Sequence, residues 1–166
     1  RTVKKGFDVF NGDLLAADFE DSAFDVAYFN QTLEHMPSPR AILRETHRIL
    51  KPDGLVCIRV PNASSMESRW FGGYWFPWEA PRHLYHFDRS AISDMLQRSG
   101  FRILKVKGDF IPANFVLNLQ FWQERTGKGL WLSPAISRLI SFPLVFACGY
   151  AGKGNGLVVF AVKEGL

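Results

Sequence analysis

The segment from residue 24 to residue 62 constrains the fold of this 166-residue chain more than any other feature. It opens with a short apolar run (26–29) and closes with a second extended run (55–60). Between them, Ser38-Pro39 predicts a helix start, because serine is a favoured N-cap and proline a favoured first helical residue. The chain then turns at Lys51-Pro52-Asp53-Gly54. The predicted apolar face of the helix has helical spacing and consists of Ile42, Leu43, Thr46, Ile49 and Leu50.

A strand, a helix and a strand in this order predict a parallel βαβ unit, and hence an α/β fold. Polar residues follow both strands, as Asn30-Gln31 and as Pro61-Asn62. Ligands of such sheets bind beyond the carboxyl ends of the strands. Topology alone therefore predicts a binding site at Asn30, Gln31 and Asn62.

The rest of the chain supplies further elements of the same kind. Asp88 is expected to cap a helix that ends at Gly100, and strands are expected at residues 102–107 and 157–162. Pro143 is expected to break a long apolar run (134–150) near the C-terminus. The apolar positions of the helix after Asp88 are Ala91, Ile92, Met95 and Leu96.

Three sequence blocks carry a family resemblance: FDVAYFNQTLEHMPSP, RETHRILKPDGL and IRVPN. Together with Gly12-Asp13-Leu14 upstream and PRHLYHF (81–87) downstream, they resemble a class I S-adenosylmethionine-dependent methyltransferase. Within that superfamily they are most similar to the small-molecule enzymes related to the ubiquinone-biosynthesis O-methyltransferase. The resemblance covers residues 6–110 and implies a Rossmann-like sheet with helices on both faces and an antiparallel last strand.

The resemblance also implies that the first strands of the family are absent from this chain. Residues 7–14 resemble the third strand of the family, and neither a glycine-rich turn nor the acidic end of the second strand precedes them. We therefore expect a single partial domain, cut from a longer protein, in which residues 7–10 lack a neighbouring strand. Its parts are a core (1–62 and 88–108), an aromatic loop (63–87), a hydrophobic helical insertion (109–155) and the last strand (156–166).

The cofactor implied by the resemblance is S-adenosylmethionine. Asp13, between Gly12 and Leu14, is expected to accept a hydrogen bond from the adenine amine. Asn30 and Gln31 are expected at the methionine and sulfonium end, with Leu33 and His35 beside the pocket. From the residues alone, Asp13 is equally well explained as part of a Gly-Asp turn.

The aromatic loop, WFGGYWFPWEAPRHLYHF, is expected either to wall the pocket of a small-molecule acceptor or to plug the core. If the resemblance holds, the acceptor is methylated at an oxygen. A hydroxyl acceptor needs a general base, for which His83, His86 and His35 are candidates in that order. Arg82 is expected to attract an anionic acceptor. No metal site is predicted, because zinc sites with the spacing of His83 and His86 usually need further Cys or His ligands.

The insertion is expected to be a helical pair that packs on the sheet or on a second subunit. The alternatives are a lid over the substrate and a peripheral membrane contact. A transmembrane helix is not expected, because the apolar run of about a dozen residues is shorter than the ~20 that span a bilayer. Two alternatives to an enzyme also fit the sequence: a non-catalytic methyltransferase-like module and a partner subunit. The sequence is equally compatible with a homo-oligomer.

Charge and cysteine content limit the partners. The net charge of +4 is dispersed without a basic block, which argues against nucleic acid. Two cysteines are too few for a disulfide framework and favour a reducing, cytoplasmic setting, with membrane association as the alternative.

Overall fold

A computed structural model describes residues 6, 8–109, 112–127, 133–150 and 153–164. The strands are β1 (Phe24–Asn30), β2 (Leu50–Pro61), β3 (Phe101–Asp109) and β4 (Gly156–Lys163). The helices are α1 (Pro39–Ile49), α2 (Met66–Phe71), α3 (Arg89–Gln97), α4 (Pro112–Thr126) and α5 (Pro134–Tyr150). Short 3-10 turns lie at Leu14–Ala16, Leu33–His35, Gly72–Tyr74 and Phe76–Trp78.

The described strands form one mixed sheet in the order β1-β2-β4-β3. β1 and β2 are parallel and are joined through α1, with Val26 opposite Leu55 and Asn30 opposite Arg59. β4 runs antiparallel to both of its neighbours, β2 and β3. The predicted βαβ unit and the predicted antiparallel last strand are therefore confirmed, and the carboxyl ends of β1 and β2 meet at one edge.

β2 begins earlier than the sequence indicated. Residues 51–54 continue the strand as an irregular segment instead of forming a separate turn, since the register with β1 shifts between Phe24 and Val26. Asp53 adopts a positive φ of 59° there. At Gly54 an added Cβ would lie 2.8 Å from the backbone oxygen of Lys51, so only glycine fits without a local shift.

α1 buries most of the predicted face, since Ile42, Leu43, Thr46 and Ile49 are buried, whereas Leu50 is buried as the first residue of β2. Pro39 stands in its first turn as predicted, but the Ser38 side chain makes no capping hydrogen bond. That prediction was wrong because Ser38, with ψ of 68°, lies outside the extended backbone region that N-caps usually adopt.

α3 has the predicted cap, since the Asp88 side chain accepts from Ala91 N–H at 2.8 Å. Its buried residues are Ile92 and Leu96, whereas Ala91 is exposed and does not belong to the core. Gly100 follows with a φ of 87°, which is the left-handed conformation expected of a glycine after a helix. Phe101 then enters the core beside Leu96.

Residues 8–10 do not form the predicted strand, and Phe7 lies outside the described residues. A strand requires ladder partners, and β1 pairs only with β2 among the described residues. Phe10 instead packs edge-on against Phe19, which contacts Phe24 in the same way. One face of the sheet also exposes large apolar residues, including Val26 and Tyr28.

The insertion is a pair of contacting helices, α4 and α5, as predicted. α4 also contacts α2 and the two aromatic 3-10 turns, while α5 contacts β3. Pro143 lies inside α5 and does not end it, so the predicted break was wrong. Within the described part of the chain, none of the helices combines the length and apolar character needed to cross a membrane.

Candidate active site

A cavity of about 170 Å³ lies beyond the carboxyl ends of β1 and β2. Pro61 at the end of β2, Phe76 and Pro77 supply its apolar wall, and Asn114 of α4 reaches it from the insertion. Its charged and polar lining comes from the turn after β1 and from the aromatic loop. These lining residues are Gln31, Glu34, His35, Glu79, Arg82 and His83.

The chain turns sharply into this cavity at Gln31. Gln31 has a positive φ of 52°, and its N–H donates to the Arg59 carbonyl at 2.8 Å, which ties the turn to β2. A non-glycine residue in this conformation costs free energy, and such strain is concentrated at functional sites. The buried Gln31 Nε2 has no hydrogen-bond partner among the described residues, so it is a donor available to a ligand.

Glu34 is the most unusual residue of the cavity. It is fully buried, and neither carboxylate oxygen has a hydrogen-bond partner among the described residues. Burial raises the pKa of Glu34, and the neighbouring His35 and His83 only partly oppose this effect. The Glu34 carbonyl oxygen accepts from Leu84 N–H at 2.9 Å and from Tyr85 N–H at 3.2 Å, which brings the aromatic loop over the turn.

Two histidines face each other next to Glu34. The rings of His35 and His83 lie 4.6 Å apart between centroids. His35 Nδ1 is 2.9 Å from the Arg82 carbonyl, and His83 Nδ1 is 2.6 Å from the Pro77 carbonyl. Because a carbonyl only accepts, both Nδ1 atoms carry the proton, and in the neutral rings both Nε2 atoms carry the lone pair.

Glu79 and Arg82 complete the charged lining. The Arg82 guanidinium forms an ion pair with Glu79, whose other oxygen lies 3.3 Å from His83 Nε2. Arg82 is largely exposed, whereas His83 is buried. Arg82 therefore places a positive charge at the outer part of the cavity.

Different residues of the aromatic loop pack into the core and line the cavity, and the role of this cavity as an acceptor pocket stays a prediction. Trp75 is buried as a plug, whereas Phe76 and Pro77 line the cavity. A second cavity of about 330 Å³ shares Phe76 and Glu79 with the first and is lined by further aromatic residues of the loop and of α4. These further residues are Trp75, Trp78 and Phe121.

The structure brings together four of the predicted site residues: Gln31, His35, Arg82 and His83. His86 is exposed and does not line the cavity; its Nε2 lies 3.0 Å from the Trp78 carbonyl. Leu33 is fully buried in the core, and Asn30 is exposed at the end of β1. Glu34 is not among the residues predicted from the sequence, although it stands between Leu33 and His35 in the polar segment that follows β1.

The predicted adenine-binding residues lie elsewhere on the chain and do not line the cavity. Asp13 accepts from Leu15 N–H at 3.0 Å and caps the 3-10 turn that contacts α1. At Gly12 an added Cβ would lie 2.7 Å from the Phe10 ring, and Leu14 packs against the core. Asp13 thus has the turn role that the sequence left open, in addition to any contact with a ligand.

Solved structures of several proteins share this fold. The chain aligns with an S-adenosylmethionine-dependent methyltransferase from Thermotoga maritima at a TM-score of 0.61 and 18% identity, covering 98% of this chain and 67% of that one. A methyltransferase from Archaeoglobus fulgidus aligns at 0.61 and 17% identity, with coverages of 96% and 69%. The cyclase SpnF aligns at 0.54 and 22% identity, with coverages of 92% and 54%.

The chain therefore spans between about half and two thirds of the length of these proteins. At such identities the alignments show the fold, which is the Rossmann-like class I methyltransferase fold. No curated protein matches the chain significantly. Residues 3–106, more than half of the chain, match the family described as a methyltransferase domain. The chain therefore belongs to the methyltransferase domain family, whose class I members use S-adenosylmethionine.

Proposed function

We propose that the protein transfers a methyl group from S-adenosylmethionine to an oxygen of a small-molecule acceptor in the cavity beyond β1 and β2. One observation carries this proposal. Gln31 and His35, expected on the cofactor side, line the same cavity as Arg82 and His83, expected on the acceptor side. The position of the cavity, at the carboxyl ends of parallel strands, is that of ligand sites in open α/β sheets.

The residues present fit the methionine end of the cofactor. Gln31 Nε2 is a buried donor without a partner in the described structure, and it is suited to an acceptor atom of the ligand. Asn30, exposed at the end of β1, and His35, which lines the cavity, are assigned to the same end, whereas Leu33 lies in the core and does not line the cavity. Gly12, Asp13 and Leu14 are assigned to the adenine end. When bound, S-adenosylmethionine supplies a methyl group on a sulfonium, which is already a good leaving group.

The protein then has mainly to position the acceptor and exclude water, for which effective molarities supply roughly 7–11 kcal/mol. We assign activation of the acceptor hydroxyl to His83, because the Pro77 carbonyl holds its Nδ1 proton and because Nε2, 3.3 Å from Glu79, is the nitrogen that accepts a proton in the neutral ring. Arg82 attracts an anionic acceptor. The adjoining aromatic cavity is large enough to receive a flat apolar part of it.

The test is calorimetric titration of S-adenosylhomocysteine into the natural full-length protein. We expect binding, and we expect Gln31→Ala and Asp13→Ala each to weaken it by about tenfold, the effect of losing roughly 1.4 kcal/mol. Asp8→Ala, at an exposed residue near Asp13, is the matched control and should leave affinity unchanged. If S-adenosylhomocysteine fails to bind, the enzyme proposal is wrong and the domain is a non-catalytic methyltransferase-like module.

A second proposal concerns α5, which carries a row of exposed large apolar residues. Leu139 is 77% exposed and Tyr150 is 92% exposed, and Phe142 and Phe146 lie between them on the same helix. Such a face suits a peripheral membrane contact. Liposome co-sedimentation tests it: Leu139→Glu should reduce binding to anionic vesicles at low salt, whereas Leu15→Glu, at an exposed residue outside α5, should not. Absence of vesicle binding by the unmodified protein would remove this proposal.

A further inference from the structure

The cavity contains a cluster of three side chains that bind metals well. One ligand atom from each of Glu34, His35 and His83 lies within 4.8 Å of the other two. Glu34 and His35 belong to the 3-10 turn after β1, whereas His83 belongs to the aromatic loop. Two imidazoles and one carboxylate form a common ligand set for divalent first-row transition metals, with positions left open for a substrate.

Both imidazoles have one ring nitrogen hydrogen-bonded, which leaves Nε2 as the nitrogen for a metal. Their Nδ1 protons are engaged by the carbonyls of Arg82 and Pro77, at 2.9 and 2.6 Å. Metal-binding histidines almost always donate their second ring N–H to a carbonyl or carboxylate in this way, which fixes the tautomer and raises the basicity of the ligand nitrogen. In the neutral rings, the lone pairs of His35 and His83 are therefore on the Nε2 atoms.

Glu34 lacks the partner that a buried carboxylate needs. It has no exposed surface, and its two oxygens have no hydrogen-bond partner among the described residues. A buried charge without a partner is strongly destabilising, and a cation beside it would remove much of that cost. A carboxylate oxygen of Glu79 also lies 3.3 Å from His83 Nε2. If the His83 ring is neutral, its Nε2 lone pair and this oxygen repel each other, and a cation between them would relieve the repulsion.

We infer that Glu34, His35 and His83 bind one divalent first-row transition-metal ion. Metal–nitrogen and metal–oxygen bonds of about 2.0–2.2 Å place adjacent ligand atoms roughly 3 Å apart, so modest side-chain rotations close the cluster around an ion. No thiol belongs to the cluster, which favours Mn²⁺, Fe²⁺, Co²⁺ or Zn²⁺ over the softer Cu⁺. Glu79 lies outside this cluster, and its oxygen 3.3 Å from His83 Nε2 suits a hydrogen bond to a water bound at an open position.

The use of this ion rests on the proposed function, although the binding of the ion does not. An open position facing the cavity would take the hydroxyl oxygen of the acceptor and lower its pKa, as bound divalent ions do for water. The O–H proton passes to solvent, the oxygen lone pair forms the bond to the methyl carbon, and the electrons of the broken carbon–sulfur bond remain on sulfur. No oxidation or reduction occurs. His83 would then activate the acceptor as a metal ligand.

The experiment is a titration of Co²⁺ into the natural full-length protein after chelator treatment, followed by calorimetry and by the visible absorption of the bound ion. We expect one ion to bind, and we expect Glu34→Gln and His83→Gln each to weaken it at least tenfold. His35→Gln provides a third variant if either of these fails to fold, as judged by circular dichroism. His86→Gln is the matched control, because this ring lies 6.4 Å from that of His83 but outside the cluster.

Failure of Co²⁺ to bind would overturn the inference. So would equal affinity in the wild type and in the folded Glu34 and His83 variants, which would mean an adventitious surface ion only. The S-adenosylhomocysteine titration is independent of both results. Glu34-dependent Co²⁺ binding without S-adenosylhomocysteine binding would uphold the metal site and overturn the proposed function, and the opposite pair of results would do the reverse.

Discussion

Glu67 shows how one buried side chain connects distant parts of the chain. Its two oxygens accept from Asn118 of α4 at 2.7 Å and from Asn155 before β4 at 2.8 Å. The Asn118 side-chain oxygen in turn accepts from Phe76 N–H at 2.6 Å, within the loop that lines the cavity. Burial raises the pKa of Glu67 to about 7, and the two amide hydrogen bonds only partly oppose this effect.

This pKa predicts how stability depends on pH. The folded carboxyl keeps its proton where the unfolded one, with an ordinary pKa of 4.5, has lost it. The native state therefore binds more protons, and stability falls as pH rises from about 4.5 to about 7, by roughly 1.4 kcal/mol for each pKa unit. Urea unfolding across this range should show that fall. Glu67→Gln should flatten it and Glu124→Gln, at an exposed glutamate of α4, should not; an unchanged slope in Glu67→Gln would contradict the assignment.

Gly100 is a second residue whose replacement should have a clear effect. Its φ of 87° disfavours any residue with a Cβ, and an added Cβ would lie 2.7 Å from His47 Nε2. Gly100→Ala should therefore reduce the free energy of unfolding by about 1–2 kcal/mol. Gly73→Ala, where an added Cβ meets nothing within 4 Å, should change it little. Equal effects of the two substitutions in urea unfolding would show that backbone conformation does not explain the glycine at position 100.

At the scale of elements, the N-caps of α1 and α3 provide a matched comparison. The Asp88 carboxylate accepts from Ala91 N–H and from the Ser90 hydroxyl, and these bonds lower its pKa. Ser38, in the corresponding place before α1, makes no side-chain capping bond. Asp88→Ala should therefore cost about 1 kcal/mol of unfolding free energy, whereas Ser38→Ala should cost close to nothing.

The pH dependence of the free energy of unfolding tests the role of the Asp88 carboxylate in this comparison. A lowered pKa in the folded state means that the contribution of Asp88 is present above its unfolded pKa and is lost as pH falls through the folded value. The difference between wild type and Asp88→Ala should thus shrink in acid. A difference that is the same at neutral and acidic pH would show that the carboxylate charge is not involved.

Element boundaries followed from the sequence where a local periodic pattern defined them. α1 buries the apolar stripe that its spacing predicted, and β4 is buried along most of its length, as its continuous apolar run indicated. The predicted boundaries were wrong where a strand is defined by pairing with another strand. The start of β2 depends on pairing with β1, and residues 8–10 lack a partner strand, so neither outcome is encoded in local propensity.

For the whole molecule, the exposed side of β1 predicts self-association. Among the described strands, β1 pairs with β2 alone, and Val26 and Tyr28 are 57% and 60% exposed. An unpaired, apolar edge strand is a template for pairing with another chain, and a charge on it opposes that pairing. Sedimentation of this 166-residue chain should show association that increases with concentration.

Tyr28→Lys should shift that equilibrium toward the monomer. Leu15→Lys is the control, because Leu15 is 50% exposed but lies in a 3-10 turn away from the edge. If both substitutions act equally, general charge is responsible and the edge is not. If neither chain associates at any concentration tested, the predicted homo-oligomer is wrong.

The sequence by itself determined the order from β1 through α1, β2, α3 and β3 to β4, most of the buried faces of α1 and α3, and the place of the candidate site at the ends of β1 and β2. These features depend on hydrogen bonds and burial between residues close in the chain, and periodicity records them. Only the tertiary structure decided which side chains meet in that site. Glu34 and His35 reach His83 because the backbone of the aromatic loop, at Leu84 and Tyr85, binds the Glu34 carbonyl. The sequence presents both His83 and its neighbour His86 as candidates, since spacing along a chain does not reveal the path of a loop.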